Sequence, residues 1–266
     1  MCGIAGVLAT GSEPVVVEDL NHFISAMQHR GPDGHGTWIS NSNRLGLAHT
    51  RLAVIDVDDR AGQPMSDADG WTIAFNGEIY NYKALRADLT QLGYRFDTAS
   101  DTEVVLNAYR CWGKRALPKL RGMFAFAVAE PSREEIFLAR DPFGIKPLYF
   151  CADGEYVRFA SEVAALRPFS RGIASKSALI DLFLWGNIAA PTTIFDDIRA
   201  LEAGHWGRVG SEGITLHRWA DPAQDLDRVE RLVTREESIE LIRESTRLHL
   251  ESDVEVGIFL SSGVTP

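Results

Sequence analysis

Residues 123–139 read Met-Phe-Ala-Phe-Ala-Val-Ala-Glu-Pro-Ser-Arg-Glu-Glu-Ile-Phe-Leu-Ala, which is two apolar runs separated by a polar segment. The runs Met123–Ala129 and Glu135–Ala139 have the length and composition of strands. The segment Glu130-Pro131-Ser132-Arg133 between them has the composition of a turn. We therefore predict that this stretch forms an antiparallel hairpin.

Other apolar runs of strand length occur on both sides of this hairpin. Leu148–Cys151 and Tyr156–Ala160 flank Asp153-Gly154, which is a strong hairpin signal. Further runs, bounded by Gly, Asn, Asp or Pro, predict strands at Gly3–Leu8, Leu45–His49, Leu52–Val57 and Trp71–Phe75. Because the strands pair as hairpins and the helices fall in separate blocks, we predict an α+β fold rather than a parallel βαβ sheet.

Three segments carry the spacing or composition of helices. Tyr82–Leu92 places leucines at i, i+4 and i+7 and stops at Gly93. Thr102–Trp112 follows Asp101, which we expect to cap the helix. Lys176–Trp185 is nearly all apolar, so we expect a buried helix there.

Composition narrows the class of protein. The chain has 266 residues, 45% of them hydrophobic, and a net charge of −10. These values are typical of a globular protein, and the acidic balance argues against a nucleic-acid or anionic-membrane partner. The three cysteines, Cys2, Cys111 and Cys151, are widely spaced, which predicts a reducing, cytoplasmic setting without a disulfide framework. The histidines form no metal-binding pair, so we expect no catalytic metal.

The last part of the chain differs in character. Residues 221–235 are charged and resemble a linker, and Thr234 with Glu237 forms a possible capping box for an amphipathic helix to about Leu250. Val254–Leu260 has the pattern of a strand. We therefore predict one domain over residues 1–220 and the incomplete start of an α/β domain over 221–266. We expect this tail to contribute nothing to the chemistry of the first domain, and to self-associate or dock onto it.

Cys2 is the strongest candidate for a reactive group. If Met1 is removed, Cys2 carries both a thiol and a free α-amino group, and the pKa of an α-amino group is about 7.7–8.0. One residue would then supply a nucleophile and a general base. The alternative is that a cysteine near a terminus serves only as a small apolar residue.

Several other segments have a plain structural interpretation when taken singly. Arg30–Gly34 has the composition of a surface turn, and Asn76-Gly77 could be a hairpin turn. Together, however, the segments resemble the N-terminal glutaminase domain of asparagine synthetase (glutamine-hydrolysing), a class II glutamine amidotransferase of the N-terminal nucleophile hydrolase superfamily. The resemblance rests, in the family's order, on Met1–Ile4, Arg30–Asp33, His49–Asp56, Gln63–Met65, Phe75–Asn81, Ser100–Glu103, Leu120–Phe126, Ala139–Tyr149 and Phe159–Glu162.

The resemblance implies a fold and a set of roles. The fold is a four-layer αββα sandwich of two antiparallel sheets. Cys2 would attack the side-chain amide of free glutamine, while the side chain of Asn76 and the backbone N–H of Gly77 would form the oxyanion hole. The substrate-binding residues that it implies are Arg51 for the α-carboxylate, Asp101 for the α-ammonium, and Glu78 with the carbonyls of Val54 and Ile55 nearby. It gives Asp33 no role, and we interpret Asp141–Tyr149 as structural.

The tail departs from the family. A phosphate-binding loop of the family's synthetase domain reads Ser-Gly-Gly-x-Asp-Ser, whereas this chain reads Ser261-Ser262-Gly263-Val264-Thr265-Pro266. Proline lacks the N–H that such a loop needs. We therefore expect that this chain does not activate aspartate with ATP by itself. The resemblance implies no cofactor for the glutaminase reaction, and ATP with Mg only where a synthetase domain is complete. The expected partner is glutamine, with a homodimer or a separate synthetase partner possible.

Two other functions fit the same residues. The chain could be a stand-alone N-terminal cysteine amidase that acts on another amide. A charge pair such as Arg51 and Asp101 argues against it, because a substrate that is not an amino acid would leave both charges unpaired. The chain could also be a glutamine-binding regulatory subunit that no longer hydrolyses its ligand.

Overall fold

The computed structural model describes residues 1–226 and 233–257. In these ranges the strands form two antiparallel sheets of six strands each. The first sheet has the order β10-β8-β9-β1-β3-β2, with bounds Ile198–Ala200, Tyr149–Ala152, Tyr156–Ala160, Gly3–Ala9, Leu45–Arg51 and Gly34–Ile39. The second has the order β12-β11-β7-β6-β5-β4, with bounds Gly213–Arg218, His205–Gly210, Glu135–Arg140, Gly122–Glu130, Thr72–Ile79 and Met65–Ser66.

The helices of the described residues are α1 Val17–Met27, α2 Tyr82–Gln91, α3 Asp101–Trp112, α4 Val163–Leu166, α5 Lys176–Trp185, α6 Pro222–Leu226 and α7 Arg235–His249. Of these, α1 and α4 pack on the outer face of the first sheet, and α2 and α3 on that of the second. Leu20, Phe23 and Met27 of α1 pack on the first sheet, whereas Leu85 of α2 and Val105 of α3 pack on the second. A third apolar cluster fills the space between the sheets. The result is the α+β, αββα sandwich that the sequence predicts.

The opening hairpin is confirmed, and one predicted strand is wrong. β6 pairs with β7 in antiparallel register, with Val128 opposite Phe137. In contrast, residues 52–57 form a loop rather than a strand. The Arg51 guanidinium donates to the carbonyl oxygens of Asp56 and Asp58, and Asp33 accepts the N–H of Ala53 at 2.9 Å. Because side chains satisfy these backbone groups, the segment does not need a neighbouring strand.

Helix α5 is also not where its composition predicts. Among its residues Ala178 is buried, whereas Phe183 is 87% and Trp185 is 78% exposed. Ser175 is the N-cap of this helix, and the helix lies outside the layers that cover the sheets. Apolar composition predicts burial only where a neighbouring element supplies a second surface.

Smaller differences appear at helix ends. Ser100, not Asp101, caps α3 by accepting the N–H of Thr102. Leu92, which the helical spacing places on the apolar face of α2, is 59% exposed and lies just past the end of the helix. The elements α1, β2, β10, β11 and β12 have no counterpart in the sequence analysis.

The structure of the tail, residues 221–257, agrees only in part with what the sequence predicts. The capping box of Thr234 and Glu237 is confirmed at the start of α7. The proposed linker contains the short helix α6, and its residues 227–232 lie outside the described ranges. Residues 254–257 show no strand, and the rest of the predicted strand and the Ser261–Pro266 loop lie outside those ranges. Across the described residues, no helix has the length and apolar character to cross a bilayer.

Candidate active site

One cavity gathers the residues that the sequence analysis selects. The space between its walls is about 600 Å³, which includes a part that is open to solvent. The sequence-selected residues that line it are Cys2, Arg51, Val54, Ile55, Asn76, Gly77, Glu78 and Asp101. The structure therefore brings all of them together, and the roles that the resemblance assigns to them remain predictions.

Cys2 is held at the start of β1, which lies between β9 and β3 in the first sheet. The Arg30 guanidinium donates to the Cys2 carbonyl at 2.9 Å and pairs with Glu162 at 3.0 Å. The next residue must be small, because a Cβ on Gly3 would lie 2.6 Å from Thr50 Oγ1. These contacts fix the backbone that presents the thiol to the cavity.

The thiol of Cys2 lies against the backbone of Leu52. Its Sγ lies 3.4 Å from the Leu52 nitrogen and 3.5 Å from the Leu52 oxygen. Burial raises the pKa of the Cys2 thiol above its ordinary value. Burial lowers the pKa of the terminal ammonium, here that of Met1, which also lines the cavity. A neutral thiol needs a base to become a nucleophile, and an amine with a lowered pKa is a better base near neutral pH.

Asn76 and Gly77 lie inside β5, so their interpretation as a hairpin turn is wrong. Asn76 is 1% exposed, and among the described residues its side-chain nitrogen is buried without a hydrogen-bond partner. At Gly77 a Cβ would lie 2.4 Å from the Met123 oxygen, so no side chain fits there. A buried amide donor without a partner, in the wall of the cavity, is an arrangement that suits a developing oxyanion.

A cation and a loop form one wall of the cavity. Arg51 ends β3, and its guanidinium donates to the carbonyl of Asp58 at 3.0 Å and to that of Asp56. These bonds curve the chain so that Val54 and Ile55 line the same cavity. Arg51 therefore supports the loop as well as facing the cavity, a role that the sequence analysis does not contain.

Two carboxyl groups lie on another part of the wall. Burial, together with the nearby Glu78, raises the pKa of Asp101 to about 7, although the Ile79 N–H at 3.0 Å opposes the shift. Burial likewise raises the pKa of Glu78, and Lys146 opposes that shift. Buried carboxylates with raised pKa values gain from a cationic ligand, because its charge replaces lost solvation.

Gln63 ties the strand that carries Asn76 to the helix that carries Asp101. Its side-chain oxygen accepts the N–H of Phe75 at 2.7 Å, and its nitrogen donates to Thr102 Oγ1 at 3.1 Å. Phe75 and Thr102 are the sequence neighbours of Asn76 and Asp101. This bridge fixes the separation of the two predicted functional groups.

Lys146 is a cavity residue that the sequence analysis assigned only a structural part. It is 5% exposed, and burial lowers the pKa of its ammonium while Glu78 and Cys2 oppose the shift. The carboxylate of Asp141 accepts the N–H groups of Ile145 and Lys146, each at 3.0 Å, and so shapes the turn that carries this lysine. The sequence feature that could have indicated this position is a single charged residue, Lys146, among the apolar residues 142–148.

Comparison with known proteins finds a matching protein family and several curated relatives. A family model described as a glutamine amidotransferase domain matches residues 1–220. Asparagine synthetase (glutamine-hydrolyzing) 1 of Bacillus subtilis (strain 168) is 37% identical over 99% of this chain, which spans 42% of that relative. The amidase chry2 of Gibberella zeae is 30% identical over 99% of this chain, which spans 41% of it. The chain thus covers about two fifths of the length of both relatives.

The fold has solved counterparts as well. The structure of the glutamine phosphoribosylpyrophosphate amidotransferase of B. subtilis, complexed with ADP and GMP, superposes with a TM-score of 0.59 and 22% identity. The match covers 82% of this chain and 49% of the other. This likeness supports the fold of two antiparallel sheets between helices.

Proposed function

Because the chain belongs to the glutamine amidotransferase domain family, we propose that it hydrolyses free L-glutamine to L-glutamate and ammonia through a thioester on Cys2. The observation that carries the proposal is a single cavity that holds a thiol, an unpaired amide donor, a guanidinium and two carboxyl groups. Each of these groups matches one part of glutamine or of its reaction.

The first step in the proposal forms the thioester. After removal of Met1, the α-amino group of Cys2 accepts the thiol proton, and the sulfur attacks the amide carbon of glutamine. Negative charge develops on the amide oxygen, where the Asn76 side chain and the Gly77 N–H donate to it. The intermediate collapses as the amine returns its proton to the departing ammonia. Water then attacks the thioester, with the amine as base, and releases glutamate and the thiol.

Selectivity for a free amino acid follows from the charged groups of the wall. Arg51 would bind the α-carboxylate through its planar guanidinium. Asp101 and Glu78, with the carbonyls of Val54 and Ile55, would bind the α-ammonium. A glutamine within a protein lacks both charges, so its binding would leave the wall unpaired.

For the longer protein to which such a domain would belong, we propose ATP-dependent synthesis of asparagine from aspartate, with this domain as the source of ammonia. The support is the name of the relative of which this chain spans 42%. ATP and Mg would then serve the synthetase part, and the glutaminase reaction itself would need no cofactor.

The decisive test combines an intact mass with an ammonia assay. We expect the active protein to lack Met1, and Cys2→Ala to abolish ammonia release, because thiol and α-amine are both needed. A protein that keeps Met1, for example behind a short uncleavable extension, should be inactive while folded. Equal activity in that form would exclude the N-terminal base.

A substrate comparison separates glutaminase from amidase. The likeness to a relative named as an amidase makes this comparison necessary. We expect kcat/KM to be far higher for glutamine than for N-acetylglutamine, because acetylation removes the ammonium that Asp101 would bind. Equal values for both substrates would favour a general amidase, and binding of glutamine without turnover would favour a regulatory subunit.

A further inference from the structure

The chain after helix α7 returns to the wall of the cavity. The N–H of Asp253 donates to the Val54 carbonyl at 2.9 Å, and the side chain of Asp253 accepts the N–H of Asp56 at 2.7 Å. These two bonds run in opposite directions between residues about 200 positions apart. They hold the loop of residues 52–57, which follows Arg51, at Val54 and Asp56.

Further contacts seat the same end of α7 on neighbouring elements. The His249 ring lies 4.4 Å from the Tyr80 ring, just after β5. Glu251 pairs with Lys83 of α2, and Glu244 lies 3.4 Å from Arg121. The tail therefore contacts the loop on one side and, on the other, the residue that follows the strand carrying Asn76. These contacts agree with the expectation that the tail docks onto residues 1–220, and its lack of any part in the chemistry stays a prediction.

The loop depends on such bonds for its shape because it is not a strand. Asp33 fixes its start at Ala53, and the Asp56 carboxylate accepts the N–H of Ala99 at 2.7 Å. Between these two anchors, Asp253 holds the Val54 oxygen and the Asp56 nitrogen. The Asp56 carbonyl is in turn a partner of the Arg51 guanidinium. Moving Asp56 would thus move a bonding partner of the predicted carboxylate-binding group.

We propose that Asp253 is a positioning residue for glutamine binding, and that residues 249–253 connect the segment beyond helix α7 to the substrate-binding loop. This inference rests on the proposed function, because it assumes that Arg51 and the loop bind glutamine. The nucleophile lies just before β1 and the oxyanion donors lie on β5, whereas among the described residues Asp253 forms its hydrogen bonds with Val54 and Asp56. Loss of the hydrogen bond from the Asp56 N–H to Asp253 should therefore raise KM for glutamine and leave kcat unchanged.

The test uses the full chain with Met1 removed and three variants. Asp253→Ala removes the acceptor for the Asp56 N–H, and Asp253→Asn keeps an acceptor oxygen. Glu244→Ala is the matched control, since it breaks an ion pair between α7, the helix that precedes Asp253, and Arg121, without touching the loop. We expect Asp253→Ala to raise KM for glutamine about 2- to 10-fold, the change that follows loss of one hydrogen bond, with kcat within about twofold. Asp253→Asn should restore most of the affinity, and Glu244→Ala should match the parent.

Amide hydrogen exchange gives a readout that does not need activity. We expect the Asp56 amide to exchange faster in Asp253→Ala than in the parent and in Glu244→Ala. An unchanged KM in Asp253→Ala would overturn the inference, as would an equal rise in Glu244→Ala or an unchanged exchange rate. Absence of turnover in the parent would instead overturn the proposed function. In that case the exchange rates alone still decide whether Asp253 holds the loop.

Discussion

Replacement of Asn76 by alanine tests the oxyanion hole most directly. The side-chain nitrogen of Asn76 is buried and has no hydrogen-bond partner among the described residues, so its loss breaks no bond of the resting protein. In the proposed reaction it donates only when charge develops on the amide oxygen of glutamine. Removal of one such donor typically costs about 10²- to 10³-fold in kcat, or about 2.7–4 kcal/mol of transition-state stabilisation. Because the bound substrate makes little use of that donor, KM should change by no more than a few fold.

The assay is steady-state release of ammonia from glutamine, with thermal unfolding measured on the same samples. Asn107→Ala is the matched control, because Asn107 is another buried asparagine, 5% exposed, that lies on α3 and does not line the cavity. We expect the control to keep its kcat, even if truncation lowers its stability. If Asn76→Ala stays folded and its kcat is within about threefold of the parent, Asn76 is not an oxyanion donor.

Two further predictions concern the charged wall of the cavity. Arg51→Ala should raise KM for glutamine by about 10- to 150-fold, corresponding to about 1.5–3 kcal/mol for a charged hydrogen bond, and Arg51→Lys should recover only part of this because an ammonium cannot bind bidentately. Loss confined to kcat would show that the guanidinium does not bind substrate. For Asp101, burial raises the pKa to about 7, so the carboxylate that would bind the α-ammonium is lost as pH falls below 7, and KM should rise about tenfold from pH 8 to pH 6. Asp101→Asn cannot ionise, so its KM for glutamine should be higher than that of the parent at pH 8 and should not change with pH. Because the raised pKa means that ionised Asp101 destabilises the folded state, Asp101→Asn should also have a higher Tm than the parent at pH 8. If KM of the parent does not change between pH 8 and pH 6, Asp101 does not bind the α-ammonium.

Part of the fold, and Cys2 as a candidate nucleophile, can be predicted from the sequence because these signals are local. The apolar runs at Met123–Ala129 and Glu135–Ala139 define a hairpin from composition alone, and the structure pairs them as β6 and β7. Cys2 stands out because its position next to Met1 allows a free α-amine. Gly77 is selected only through the resemblance to the family, since Asn76-Gly77 taken alone has the composition of a hairpin turn, whereas the structure places both residues inside β5.

Other features depend on contacts that no local pattern contains. Residues 52–57 have the composition of a strand, yet the guanidinium of Arg51 binds the carbonyls of Asp56 and Asp58 and turns the segment into a loop. Helix α5 has the composition of a core helix, yet Phe183 is exposed among the residues that the structure describes. The composition of a segment indicates which secondary structure it favours, whereas its burial depends on which other elements pack against it.

Local patterns in the sequence are enough for the antiparallel α+β class and for the choice of Cys2 as a candidate, whereas the other predicted site residues come from the resemblance to the family. How the residues of the cavity are supported depends on the packing of the folded chain. Lys146 enters the cavity because Asp141 shapes its turn, and Asp253 meets Asp56 because α7 folds back across the first domain. The physical reason is one of range, since strand and helix patterns arise from neighbours along the chain. A hydrogen bond between residues about 200 positions apart depends instead on how whole layers pack.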